Sequence, residues 1–499
     1  MRTNRCATSV LIGIALVTAS SAVAPAQPPA PQRPNVLLIS LDDLNDWVGP
    51  LRGHPQVRTP NLDRLARRGT VFANAHCQAP LCNPSRTSVL TGLRPSTTGI
   101  YALEPWFRTV SKFRTHVTLP QHFAANGYRT LTTGKVYHDA YPPAPARIPG
   151  AEFSLWGHHG GFLPRPPKKL ISEPGGHPLM DWGVYPERDD EQDDWKVADW
   201  AIARLQEPQS GPFFLSVGLR HLHVPCYTTQ RWSDLYPEAS LRLPPVRDGD
   251  REDTPPFAWR LHWKLPEPRL SWLKRSGQWK PLVRAYLASI SFGDAMVGRV
   301  LDALDRSGHA DNTLVVVWSD HGWHLGEKGI SGKNSLWERS TRVPLLIAGP
   351  GVAKNARCRR PAELLDLYPT LAEVCGLPPR SGLDGHSLAP LLRSPAAPRS
   401  WPAITTHGPG NHSVRTEHWR YIRYADGSEE LYDLERDPNE WTNLAGYPKH
   451  AQRKQELAVL LPRNDASPAP GSRTRLVEVK NGTVFWEGKP VGPDEPVPE

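Results

Sequence analysis

Six short stretches of this chain gather the residue types that handle anions and metal ions. They are Leu41-Asp42-Asp43, Cys82-Asn83-Pro84-Ser85-Arg86, Gly134-Lys135-Val136-Tyr137-His138, Arg220-His221-Leu222-His223, Ser319-Asp320-His321 and Gly332-Lys333-Asn334. Three carboxylates cannot crowd together unpaired, because like charges raise one another's pKa steeply. Either Asp42, Asp43 and Asp320 are dispersed, or a cation holds them. A mostly oxygen-donor set favours a hard divalent ion, calcium or magnesium, over zinc, with His321 as the imperfect fit. Arg86, Lys135 and Lys333 suit a tetrahedral oxyanion, arginine through its fork and lysine as a point charge. His138 and His223 add titratable groups, although a lone histidine is more often a structural one.

Cys82 admits several explanations: a disulfide, a zinc ligand, a thiol nucleophile or something rarer. Zinc is disfavoured, because no second cysteine lies two to four residues away and Cys77 is five back. A Cys–His thiol enzyme needs no carboxylate cluster. Pro84 rigidifies the turn, and a helix beginning near Ser85 would aim its N-terminus at the site and favour a bound anion. Metal and cations together point to transfer of an anionic group.

These stretches follow apolar runs that read as strands. Such runs begin at Asn35, near Tyr128, and at Phe213, Thr313 and Val343. They are β-rich and apolar on both faces, as central parallel strands are. Helical patterns lie between them. One starts at Thr59 as N-cap with Pro60 at the first helical position and Gly69 just past the end; another runs from Arg284 to Ser307 and closes at Gly308. Alternating strands and helices predict an α/β domain, with ligands beyond the carboxyl ends of the strands. Three strand ends that each deliver polar groups imply one shared site. Beyond about residue 395, SVRTEHWRYIRYAD and EELYDLERDP read as two strands of a hairpin with Gly427 in its turn, in a smaller C-terminal subdomain ending in a loose tail. The expected organisation is a signal peptide at 1–26, a linker at 27–34, a catalytic domain at 35–395 and the C-terminal subdomain at 396–499.

The bulk composition agrees with a loop-rich globular enzyme. The 499 residues include 39 glycines, 54 prolines and 18 tryptophans without repeats, and 39% are hydrophobic. The formal charge of +9 suits an anionic substrate, though a solvated surface explains it equally. No nucleic-acid motif accompanies it. Arg2 and Arg5, the apolar VLIGIALV and Ala24-Pro25-Ala26 read as a signal peptide, so the mature chain is expected to be exported, periplasmic or secreted, without a membrane span. Removing Cys6 leaves Cys77, Cys82, Cys226, Cys358 and Cys375. That odd count leaves at least one unpaired, and Cys358 could pair with Cys375. Nothing in the sequence specifies an oligomeric state.

The run C-N-P-S-R-T-S-V-L-T-G resembles the type I sulfatase signature, Cys-x-Pro-Ser-Arg followed by Leu-Thr-Gly. The match extends to NVLLISLDDLNDW, TTGKVYH, SDHGWHLGEKG and AELLDLYPTLAEVCGLP, over roughly residues 34 to 445, and looks most like the iduronate-2-sulfatase group. The resemblance implies an alkaline-phosphatase-like fold, a large mixed sheet flanked by helices. It implies calcium, ahead of magnesium, on Asp42, Asp43, Asp320, His321 and a modified Cys82. In such enzymes a maturation enzyme reads the motif with its proline and arginine and oxidises the cysteine to formylglycine. The hydrated aldehyde attacks sulfur, and its second hydroxyl then expels sulfate. By the same resemblance Arg86 and the metal favour the deprotonated hydrate, and Lys135 and Lys333 hold sulfate oxygens. His138 assists the elimination, and His223 protonates the leaving oxygen, with Lys333 as a possible partner.

One stretch departs from the pattern. Relatives commonly carry His-Lys/Arg-Pro-His where this chain has Arg220-His221-Leu222-His223, which puts iduronate specificity in doubt. The expected substrate is a sulfated saccharide, with its pocket built by loops at 150–195 and 225–280. The rival readings are a phosphonate monoester or phosphodiester hydrolase of the same superfamily, and a non-catalytic binder of sulfated glycans.

Overall fold

The apolar runs become the centre of an eight-stranded sheet. In the computed structural model the described residues are 1, 2, 7, 9, 33–138, 141–162, 164–262, 264–463, 465–492 and 495. The signal peptide, apart from four isolated residues, most of the linker and the last residues of the chain lie outside them. The strands are β1 (Asn35–Leu41), β2 (Gly69–Phe72), β3 (Arg129–Gly134), β4 (Leu155–Trp156), β5 (Phe213–Leu219), β6 (Thr313–Ser319), β7 (Leu345–Ala348) and β8 (Ala356–Cys358). Their spatial order is β8-β2-β7-β6-β1-β5-β3-β4.

β1 is flanked by β5 and β6, both parallel to it, and every residue of these three strands is buried. Alternation along β1 feeds two cores. Leu37, Ile39 and Leu41 pack on one side of the sheet, and Val36 and Leu38 on the other. The first side is covered by α3 (Asp193–Gln206) and the 28-residue α4 (Trp279–Arg306), and the second by α2 (Cys82–Thr91). Between β1 and β2, α1 (Pro60–Arg68) runs as its sequence predicts, but the Thr59 hydroxyl accepts from the Gly49 amide instead of capping the helix. Gly69 ends α1 in an extended conformation and begins β2.

Three expectations need correction. The strand after Val343, β7, read as parallel, is antiparallel to both β6 and β2, which makes the sheet mixed as the resemblance implies. The C-terminal hairpin is a four-stranded meander: β9 (Ala403–Thr406), β10 (His412–Arg415), β11 (Trp419–Arg423) and β12 (Glu429–Asp433). The stretch read as one strand before Gly427 therefore holds two, because Thr416 to His418 turn the chain back. The described part of the tail is also ordered: β13 (Val477–Lys480), β14 (Thr483–Trp486) and β15 (Lys489–Pro490) form a small antiparallel sheet whose Trp486 joins a hydrophobic cluster. All five described cysteines are free, so Cys358 and Cys375 are not bridged. No helix among the described residues is long and apolar enough to cross a membrane.

Candidate active site

Strand register sets the geometry. Leu41 stands beside Leu219 and Ser319, and Gly134 beside Gly218, so four parallel strands end at one edge. The residues just past those ends are Asp42-Asp43, Lys135, Arg220 and Asp320-His321. Gly134 is required for this closeness. A Cβ there would lie 1.9 Å from the Gly218 carbonyl oxygen, and its φ of 74° lies in the left-handed region.

Helix α2 carries Cys82 and Arg86, and all ten of its residues are buried. It begins at Cys82, three residues earlier than Ser85, which brings the thiol itself to the positive end of the helix dipole. Arg86 is fully buried and ties three strand ends together. It donates to Asp320 Oδ2 (2.8 Å), Asp42 Oδ1 (2.9 Å) and the Lys135 carbonyl (2.6 Å). The Ser85 hydroxyl donates to the Asp320 carbonyl at 2.6 Å.

Charges converge on the Cys82 sulfur. Lys333 Nζ lies 3.1 Å away, His321 Nε2 3.2 Å, Lys135 Nζ 3.6 Å and Asp43 Oδ1 3.9 Å. Burial alone would push the thiol up, but Lys135 and Lys333 overcome it and hold Cys82 well below the usual thiol range. The sulfur thus stands where an oxyanion would be held. Lys135 pairs with Asp42 and Lys333 with Asp43, the latter at 2.8 Å. Against the burial that opposes its charge, Lys333 is pushed up by Asp43 and Cys82, and keeps its proton. Asp42 is held well below the carboxylate range because Lys135 and Arg86 outweigh its burial.

The acidic residues fit a bound cation. Asp43, Cys82, Asp320 and His321 each bring a ligand atom within 4.8 Å of the others, and so do Asp42, Asp43, Cys82 and His223. Burial pushes Asp43 up to about 7 even with Lys333 and His321 beside it. Burial raises Asp320 as well, so Asp43 and Asp320 want more positive charge than the protein supplies, and a hard divalent ion would provide it.

Two expected residues sit differently. His223 reaches the cluster, with Nε2 3.8 Å from Asp43 Oδ2, but burial and then Lys333 hold it well below the usual histidine range. It is neutral, so Lys333 is the group at this position that holds a proton. His138 is half-buried against Tyr141, and its Nδ1 has no hydrogen-bond partner among the described residues. It makes no hydrogen bond or ion pair with the cluster.

The sequence reading missed several supports. The Tyr286 hydroxyl donates to the Asp43 carbonyl (2.7 Å) and accepts from the Asn45 amide (3.1 Å), fixing Asp43 at a φ of 57°. Trp318 lies 5.9 Å from the Arg86 guanidinium carbon, and Phe162 and Trp323 flank the His223 ring. Asp194 accepts from the amides of Arg220 and His221 and so shapes the turn that presents His223. The acidic pair that opens α3, Asp193-Asp194, was the available sequence signal for this last support.

The description "Sulfatase" belongs to the family model that matches residues 34–377. The chain belongs to the sulfatase family. A second model, "N-sulphoglucosamine sulphohydrolase, C-terminal", matches residues 326–466 and so spans the Lys333 segment and the meander. A sulfatase of Formosa agariphila is 41% identical over 449 residues, covering 87% of each chain. Human iduronate 2-sulfatase is 32% identical over 392 residues, covering 69% of this chain and 70% of its own. Among solved structures, phosphonate monoester hydrolase of Agrobacterium radiobacter superposes with a TM-score of 0.68 at 23% identity, covering 86% of this chain and 94% of its own, which shows the common alkaline-phosphatase-like fold. This sulfatase is a sulfuric ester hydrolase, and the family as a whole works with a metal ion and a formylglycine.

Proposed function

We propose that this sulfatase removes sulfate from a saccharide, with a formylglycine made from Cys82 and a calcium ion on Asp42, Asp43, Asp320 and His321. The observation that carries the reading is the sulfur of Cys82 inside a ring of Lys333, His321 and Lys135 contacts of 3.1–3.6 Å. When present, the hydrated aldehyde supplies an oxygen nucleophile and a second hydroxyl for sulfate release, and the cation supplies Lewis-acid polarisation.

The chain's own side chains do the rest. Lys135 and Lys333 hold the sulfate oxygens where negative charge builds, in a site closed to water, so their fields act at low dielectric. Arg86 locks Asp42 and Asp320 in place and favours an oxyanion at position 82. Lys333, which keeps its proton, stabilises and protonates the leaving oxygen, and the neutral His223 beside Asp43 positions it. His138, whose Nδ1 has no hydrogen-bond partner among the described residues, assists the elimination. A saccharide substrate is supported by the relation to human iduronate 2-sulfatase, and export by the N-terminal Arg2, Arg5 and apolar run.

Cys82 and Arg86 are 1% and 0% exposed, so a maturation enzyme must read this motif before the fold closes. A peptide mass spectrum across Cys82, on protein exported by its native host, tests the reading. The expected result is an aldehyde at position 82. An unmodified thiol throughout would overturn it in favour of a non-catalytic glycan binder. Parallel assays on aryl sulfate and aryl phosphonate esters should favour the sulfate; a preference for the phosphonate would move the chain to the hydrolases it shares its fold with.

A further inference from the structure

A cavity of about 540 Å³ opens beside the segment that carries Lys333. Three stretches remote in sequence line it: the 174–177 loop, residues 264–272, and residues 474–487 of the small C-terminal sheet. The cavity wall holds both neighbours of Lys333. Arg475 Nη1 donates to Asn334 Oδ1 at 2.8 Å, and Glu267 packs on Gly332 so closely that a Cβ there would lie 2.6 Å from Glu267 Cγ.

The lining has the chemistry of a sugar subsite. Trp272 and Trp486 supply aromatic surface, Lys264 and Arg475 supply cations, and His177, held below the usual histidine range by burial, supplies a neutral imidazole. Glu267 is 3% exposed, and its Oε1 pairs with Arg475 Nη1 at 3.1 Å. Its other oxygen, Oε2, is buried with no hydrogen-bond partner among the described residues. A buried acceptor without a donor is rare and calls for a partner. A sugar hydroxyl supplies that donor, and the apolar face of its ring suits an indole. Lys264 is held by an exposed pair with Glu495 at 3.3 Å, weak enough to yield to a ligand anion.

We infer that this cavity is a subsite for a second, acidic sugar of an oligosaccharide whose sulfated residue reaches Cys82. This rests on the reading of the chain as a saccharide sulfatase. One hydroxyl of the second sugar donates to Glu267 Oε2, and its carboxylate or sulfate faces Lys264 and Arg475. The enzyme therefore prefers oligosaccharides to isolated sulfated sugars.

The test uses the aldehyde-bearing, full-length enzyme with two substrates, an aryl sulfate and a sulfated tetrasaccharide containing uronic acid. Trp272→Ala and Lys264→Ala should each lower kcat/KM for the tetrasaccharide at least tenfold relative to that for the aryl sulfate, and Trp272→Phe should restore most of the ratio. With a carboxyl-reduced tetrasaccharide, the Lys264→Ala effect should shrink. Equal losses on both substrates, or no loss on the tetrasaccharide, would overturn the subsite. Calorimetry with the Cys82→Ala protein separates this from the catalytic reading: tetrasaccharide binding that weakens tenfold on adding Trp272→Ala supports the subsite even where no aldehyde is found. Absence of binding there would sink the subsite and leave the sulfatase chemistry standing.

Discussion

Five residues apart on one segment, Lys333 and Glu338 enter two buried charge networks of opposite character. Around Glu338 the groups close on one another. Arg420, fully buried on β11, pairs with Glu338 and donates to the Leu336 carbonyl (2.8 Å), Ser413 Oγ (2.6 Å) and Thr341 Oγ1 (3.0 Å). Burial works to raise the Glu338 pKa, but Arg415 and Arg420 hold it well below the carboxylate range. Nearby, Trp337 and Tyr424 donate to Glu430 at 2.7 and 2.6 Å. Around Lys333 the charges aim instead at one atom, the Cys82 sulfur, and burial leaves Asp43 at about 7. Buried charge alone does not mark a site. Burial also leaves Glu440, beside Arg420, at about 7, so what marks the site is convergence on a reactive atom. The closed network also serves the open one, because it pins the C-terminal meander to the segment that presents Lys333.

The sharpest break in this comparison is Arg420→Ala. It should cost about 3–5 kcal/mol in urea unfolding by removing the arginine that pairs with buried Glu440 at 2.7 Å and one of those that hold Glu338, while folded enzyme keeps its turnover. Lost turnover at unchanged stability would erase the distinction. Lys333→Ala should show the reverse, with kcat on an aryl sulfate down roughly 10²–10³-fold. Its urea midpoint should move less than that of Arg420→Ala, because Asp43 can take up a proton near neutral pH.

Acid should loosen the same segment. His407 is pushed down to about 4 and His324 to about 3, each by burial first, and both pack around residues 324–335. Their folded pKa values lie below the unfolded value of about 6.5, so the unfolded chain binds protons more readily. Stability is then full above about pH 6.5 and falls as pH drops toward 4, by on the order of 3 kcal/mol for His407. Thermal unfolding against pH should show this, and His407→Gln should flatten the slope. The smallest effect is expected from Tyr286→Phe. Losing the hydroxyl that bridges Asp43 and Asn45 should cost about 1 kcal/mol of stability and less than tenfold in kcat. A larger fall in kcat would place Tyr286 closer to the chemistry than its contacts do.

Most of the site was legible because it sits where apolar runs stop. Asp42, Lys135 and Asp320 each follow a strand, and the α/β pattern predicts that such ends share an edge. The failures have equally local causes. A short apolar strand carries no mark of direction, so β7 read as parallel. The meander was counted two strands short: β9 went unread, and the turn at residues 416–418 contains no glycine or proline, so two strands read as one. Proline and glycine near the C-terminus suggested a loose tail, yet Trp486 has a core to join, and the same sheet walls the cavity beside Lys333.

By itself the sequence determined the cast: a cysteine in a Cys-x-Pro-Ser-Arg run, three carboxylates, three cations and the strands that end beside them. Those are covalent facts and local propensities, and both survive in any window of the chain. Tertiary structure decided which of the cast meet. Lys333 reaches Asp43 across 290 residues and Cys82 across 251. It also decided that Asp43 sits near neutrality, that His223 is uncharged and that Glu267 keeps an oxygen without a donor. Those properties come from burial and from the field of distant charges, which no local window contains.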